Sequence, residues 1–204
     1  MKNKILSMMI QPTFMLNTMV LIVLQFSVIL FAQHNLYKSY DGPFVAISAG
    51  SFHTVALKED GTVEVLGTSY NTPPADLTSV KAISAGFLHT VALKEDGTVV
   101  AWGNIKSGRT DVPSGLSNVK ALSGGDYHTA ALIEDGTVVE WGTNLTEIPE
   151  DLTKVKALAA GEYFTMALKE DGKVVSWGKR EINIPADLAN VKAITAGEFH
   201  AAAL

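Results

Sequence analysis

Four histidines, His53, His89, His128 and His200, stand at one equivalent place in a repeating sequence, and Phe164 holds that place in the remaining copy. A ring of imidazoles could bind a metal. Ligand bonds of roughly 2.0–2.1 Å do not converge from neighbouring repeat units, however, and a phenylalanine as stand-in marks a packing position. The pairs Glu59-Asp60, Glu95-Asp96, Glu134-Asp135 and Glu170-Asp171 resemble acid/base dyads or calcium ligands. Each precedes a glycine in a turn, where Asp caps the backbone, and nothing nearby supplies the further oxygens that calcium needs. Trp102, Trp141 and Trp177 each close a run beside a glycine and read as packing between units.

The residue pairs just before the histidine position carry more information. They are Ser51-Phe52, Phe87-Leu88, Asp126-Tyr127, Glu162-Tyr163 and Glu198-Phe199, and they vary while their flanks do not. Every copy holds an aromatic, and three place it beside a carboxylate. Rings repeated once per unit on a rigid frame have the make-up of a binding surface; the other reading is that they fill gaps between units. The candidate binding residues are therefore Phe52, Phe87, Asp126, Tyr127, Glu162, Tyr163, Glu198 and Phe199, with an acidic character to the face.

The frame that must position them is legible from spacing. Copies open with VAISAG at 45–50, VKAISAG at 80–86, VKALSGG at 119–125, VKALAAG at 155–161 and VKAITAG at 191–197. Their closing glycines, Gly50, Gly86, Gly125, Gly161 and Gly197, are 36, 39, 36 and 36 residues apart. Within a unit, a short apolar strand precedes a second such as His89–Lys94, and an Asp-Gly turn joins it to a third such as Thr98–Trp102. A proline-bearing connection, as at Val112-Pro113, then leads on. Three or four short strands per unit and no helical periodicity predict an all-β fold, a β-propeller, with a β-solenoid as the alternative. The predicted units are 45–79, 80–118, 119–154 and 155–190, with part of a fifth at 191–204.

The pattern VKAISAGxxHTVALKEDGTVVAWG resembles the repeat of the regulator of chromosome condensation family, and the resemblance runs from Val45 to Leu204. Units this short are most similar to bacterial members, among them a secreted propeller that inhibits β-lactamases. The family's loop after Trp-Gly is nearest in unit two, Trp102 to Pro113, where Arg109 stands in place of the usual Gln. Unit one has Leu66 in place of Trp. The resemblance implies a ring of seven blades, so a chain with four complete units and part of a fifth is expected to be a truncated ring.

Composition bounds the partners. The chain has 204 residues, net charge −5 and no cysteine, which excludes disulfides, thiolate metal sites and a Cys nucleophile. Lys2 and Lys4 are the only charges in the first 32 residues, so the rest carries 14 basic against 21 acidic residues. That balance argues against nucleic acid. Met15 to Ala32 is an uncharged, largely apolar run behind those two lysines, and 1–32 is expected to be a signal peptide or membrane anchor, with 33–44 a linker. Asn144-Leu145-Thr146 is a glycosylation sequon by pattern. The expected function is an exported, non-enzymatic scaffold, without cofactor or metal, that binds a protein partner through blade turns. The alternatives are a carbohydrate-active or other enzyme with its site at the propeller channel, and guanine nucleotide exchange. Non-repeated polar residues where catalysis could reside are few: Lys106, Arg109, Lys179, Arg180 and Glu181.

Overall fold

Alternating apolar and polar residues between Asp-Gly turns form antiparallel strands, and the computed structural model describes residues 43–67, 72–143, 145–180 and 182–204. Strands β1 (Phe44–Ala49), β2 (His53–Lys58) and β3 (Val63–Gly67) make blade 1. Blade 2 is β4 (Val80–Ala85), β5 (His89–Lys94) and β6 (Val99–Gly103), and blade 3 is β7 (Val119–Gly124), β8 (His128–Ile133) and β9 (Val138–Gly142). Blade 4 is β10 (Val155–Ala160), β11 (Phe164–Lys169) and β12 (Val174–Gly178), and β13 (Ile194–Ala196) with β14 (Ala201–Ala203) begins blade 5. Each complete blade is a three-stranded sheet with its second strand in the middle, and the fifth sheet has two strands. Among the described residues helix is limited to one 3-10 turn, Lys106–Gly108, and none is long and apolar enough to cross a membrane. The apolar run 15–32, the expected linker up to residue 42, Asn144 of the sequon and Glu181 lie outside the described residues.

The chain divides into two units, Met1–Asp41 and Gly42–Leu204, and the blades occupy the second. In each hairpin the aspartate caps the turn: Asp96 Oδ1 accepts from the Thr98 N–H at 2.9 Å and from its hydroxyl at 2.6 Å. The following Gly97 sits at φ +81°, which an L side chain rarely adopts. A bulge in the first strand of every complete blade, as between Val80 and Ala82, adds twist.

Apolar cores lie between blades. Leu57 of blade 1 packs with Val80, Ala92 and Trp102 of blade 2. Leu93 repeats the contact with Val119 and Trp141, and Leu132 with Val155 and Trp177. All three tryptophans are buried in these junctions. The middle strands β5, β8 and β11 are thus buried on both faces, because each of these blades has a neighbour on either side.

Candidate functional site

The two variable residues of each unit form the turn between the first and second strands. A bond from Gly125 N to the His128 carbonyl, 2.9 Å, closes the turn in blade 3, and blades 1, 2 and 4 close at the same length. Successive turns are then chained across blades: Phe87 N donates to the Gly125 carbonyl (3.3 Å), Asp126 N to that of Gly161 (3.2 Å) and Glu162 N to that of Glu198 (3.3 Å). Glycine at the first position permits this approach, since a Cβ on Gly86 would run into the Gly125 carbonyl oxygen.

The structure brings the candidate residues together as an arc on one face. Phe52 and Phe87 meet edge-to-face with ring centroids 5.3 Å apart, and Tyr127 and Tyr163 stack at 5.2 Å and 13°. Phe52 and Phe199 are 54% and 56% exposed, while Phe87, Tyr127 and Tyr163 are half-buried. The carboxylates of Asp126, Glu162 and Glu198 converge, with oxygens all within 4.8 Å of one another. Among the described residues this trio is the group that could hold a cation; calcium takes 6–8 oxygens, so three carboxylates form an incomplete shell.

Two arginines from the non-repeated loops complete the arc. Arg109 is buried and gives Nε to the Lys106 carbonyl (2.9 Å) and Nη1 to the Asp126 carbonyl (2.8 Å), with its guanidinium 5.4 Å from the Tyr127 ring centroid. Its own carbonyl accepts from Trp141 Nε1 at 3.0 Å. Arg180 donates Nη2 to Glu162 Oε2 (3.2 Å) and lies 4.8 Å from the Phe199 ring centroid. Thus ring–ring contacts bridge blades 1|2 and 3|4, whereas arginine–ring contacts bridge 2|3 and 4|5.

Crowding shows in the titrations. Burial first, then the neighbouring Glu198 and Glu162 charges, push Asp126 up to about 6, against the pull of Arg109. A side-chain hydrogen bond with Tyr127, followed by burial, pushes the Tyr163 phenol up to about 12.

Beneath the arc three of the four histidines join neighbouring blades, and His200 is exposed. His53 Nε2 lies 2.9 Å from Thr90 Oγ1, His89 Nε2 2.9 Å from Thr129 Oγ1 and His128 Nε2 2.8 Å from Thr165 Oγ1, each across a blade junction. Burial lowers His89 to about 3 and His128 to about 4, so both are neutral near pH 7. The Thr165 hydroxyl gives its single proton to Glu140 Oε1, so His128 must donate through Nε2–H.

Glu140 is the residue that sequence reasoning missed. Its side chain is buried, it also accepts from Trp177 Nε1 at 3.0 Å, and burial raises its pKa. The signal was present: its place in the third strand is Val65, Ala101 and Ser176 in the other blades. The cavity between His128, Glu140, Tyr163 and Trp177 is only about 10 Å³, room for at most one water.

The regulator of chromosome condensation (RCC1) repeat matches residues 44–72, 80–108 and 155–179. A comparison with curated proteins finds no match. Among solved structures, the ectodomain of the Physcomitrella patens receptor kinase CR4 is 24% identical over 80% of this chain and 47% of its own, with a TM-score of 0.69. The CRINKLY WD40 ectodomain of the Arabidopsis thaliana receptor kinase ACR4 is 26% identical over 69% and 51%, with 0.57. Prp20p from Saccharomyces cerevisiae is 22% identical over 79% and 56%, with 0.65. The chain therefore spans about half the length of the structures it matches. Three of its units are thus similar to the regulator of chromosome condensation repeat, and the chain folds as four blades and part of a fifth of a β-propeller.

Proposed function

We propose that this chain is an exported binding scaffold, not an enzyme, that takes a protein partner on the arc of Phe52, Phe87, Asp126, Tyr127, Glu162, Tyr163, Glu198 and Phe199. One observation carries the reading: the residues that vary between units form a continuous run of turns whose rings are half-buried or exposed. Rings fixed by their neighbours lose little entropy on binding, and Tyr beside carboxylates supplies both apolar area and hydrogen bonds. His128, Thr165, Glu140 and Trp177 below the arc are committed to one another, which favours binding over catalysis there. Protein binding is also named for one similar structure, Prp20p, with Gsp1p and histones. The sequence of residues 1–32 is the ground for export.

The test is affinity capture with the complete gene product from the organism's own envelope or medium, followed by Tyr127→Ala and Tyr163→Ala. Each should weaken partner binding by about 2 kcal/mol. If both variants lower the melting temperature and leave affinity unchanged, the rings are inter-blade packing and the reading fails. Finding the intact chain in the soluble cytoplasmic fraction sinks export.

A further inference from the structure

Glu140 breaks the repeat at a point where the break puts a carboxylate inside a blade junction. Its place in the third strand is Val65, Ala101 and Ser176 in the other complete blades, and its side chain is only 4% exposed. A carboxylate withdrawn from water is costly unless an opposite charge meets it. The groups that meet this one are neutral. The Thr165 hydroxyl donates to Oε1, and Trp177 Nε1–H donates to Oε2 at 3.0 Å. His128 Nε2 lies 4.0 Å from Oε1, but burial keeps that imidazole neutral near pH 7. Burial pushes the Glu140 carboxyl up, and the pull against it comes from the Thr165 and Trp177 hydrogen bonds, not from a lysine or arginine charge.

The carboxylate also has acceptor capacity to spare. An ionised carboxyl group offers about four lone-pair sites, and Thr165 and Trp177 take one each. Glu140 lines the cavity of about 10 Å³ together with Thr146, Tyr163, Phe164 and Trp177. Thr146 at the rim is exposed and Tyr163 is half-buried, so the cavity opens beside a ring of the arc. Its whole lining comes from blades 3 and 4 and the connector between them, with nothing from the first or fifth unit.

The space is that of one water molecule, which is also the size of an ammonium group. A lysine carries this compact charge, with three donors, at the end of a slim alkyl stem, whereas an arginine carries a wider planar fork. The aromatic walls suit a cation on such a stem. We propose that the cavity between blades 3 and 4 seats the ammonium group of a lysine on the protein partner, with Glu140 as its counter-ion. The assignment of the lysine to a protein partner rests on the arc as the landing face, since Tyr163 belongs to both.

The experiment follows the Trp177 indole N–H in nitrogen-edited NMR spectra of the full chain, because that proton sits on Glu140 Oε2. The probe is Nα-acetyl-lysine amide, which should shift the resonance saturably with a dissociation constant of about 10 mM. Nα-acetyl-arginine amide and the Nε-acetylated lysine probe, at matched ionic strength, should leave it in place. Ammonium chloride should move it in the same direction as the lysine probe. Glu140→Gln keeps the size, removes the charge and should weaken the lysine probe at least about tenfold; if that variant does not fold, the titrations of the unaltered chain still decide. Equal responses to the lysine and arginine probes would mean general attraction to the acidic face and overturn the proposal. So would no saturable shift by about 100 mM, a shift that Glu140→Gln retains, or a response to ammonium chloride with none to the lysine probe, which marks a free-ion site. Tyr127→Ala separates this site from the arc, because Tyr127 does not line the cavity. It should leave affinity for the lysine probe within about twofold while weakening the partner. Partner binding that depends on Tyr127 without any lysine response retires the cavity site alone, whereas a lysine response with partner affinity untouched by Tyr127→Ala upholds the cavity and retires the arc.

Discussion

Blades 3 and 4 are joined by hydrogen bonds, and blades 4 and 5 meet across a junction in which the His–Thr pair is replaced by an apolar pair and the serine acceptor by alanine. At the first, His128 donates to Thr165, Thr165 and Trp177 donate to Glu140, and the Ala160 N–H reaches Ser123. At the second, Phe164 replaces His, Ala201 replaces Thr and Ala159 replaces Ser. Phe164 is among the most buried side chains in the protein. A buried polar group left without its partner costs about 1–3 kcal/mol, whereas replacing both partners by apolar groups is nearly neutral. The two junctions are therefore alternative solutions to one packing problem, and single changes should hurt where paired changes do not.

The largest effect is expected at the polar junction. Thr165→Val orphans the His128 Nε2–H and a Glu140 oxygen together, and should lower unfolding free energy by about 3 kcal/mol in a urea titration. A loss under about 1 kcal/mol would mean the network contributes geometry alone. At the apolar junction, Phe164→His alone should cost about 2 kcal/mol through a cavity and an unpartnered imidazole. Adding Ala201→Thr should recover about 1 kcal/mol of it, read as the coupling in a double-mutant cycle. Strict additivity would refute the equivalence of the two junctions.

A third prediction separates the junction core from the arc above it by pH. His128, lowered from 6.5 to about 4, contributes stability that is complete above pH 6.5 and is lost as pH falls toward 4. Asp126, raised from 3.8 to about 6, works the other way: its penalty is absent below pH 3.8 and complete above about 6, so stability falls as pH rises through that window. Asp126→Asn should therefore stabilise the protein by about 1 kcal/mol at pH 7, after discounting for solvent screening, and do nothing near pH 4. Thermal melts at both values check the sign.

The smallest effect concerns the connectors entering these two blades. Lys154 precedes blade 4 at φ +55°, and Asn190 precedes the fifth unit at φ +58°. Asn tolerates the left-handed region better than Lys, so Lys154→Asn should raise stability by about 0.5 kcal/mol. No change in the urea midpoint would count against strain there.

The blades were legible in the sequence because strand alternation and Asp-Gly turns act locally, within a few residues of Gly97 or Gly136. The place of the candidate arc was legible too, as the pair that varies between fixed flanks. Its contacts were not. Arg109 stood out as a departure from the repeat, yet its bond to the Asp126 carbonyl crosses a blade boundary that residue types alone do not measure. The convergence of Asp126, Glu162 and Glu198 likewise depends on the spacing of turns on successive blades. The His–Thr pairing could have been read, since Phe164 and Ala201 depart from the pattern together; Glu140 escaped because it lies in a strand of otherwise apolar positions.

At the junctions between the first four blades, a serine and a histidine of the earlier blade bond to a backbone N–H and a threonine of the later one. This one-way order has a consequence for how the protein is made. A chain emerges from the ribosome amino end first, at about 5–20 residues per second, so each 36-residue unit appears roughly 2 to 7 s after its predecessor. Ser48 and His53 are synthesised before the Ala85 N–H and the Thr90 hydroxyl exist, and the same lag separates Ser84 and His89 from blade 3. While blades 1 to 3 are the newest on the nascent chain, each therefore offers side-chain hooks, and the next blade arrives carrying the eyes. Growth of this kind seals each seam with the unit that follows it, and the half-life of an unsealed seam is set by the pace of translation.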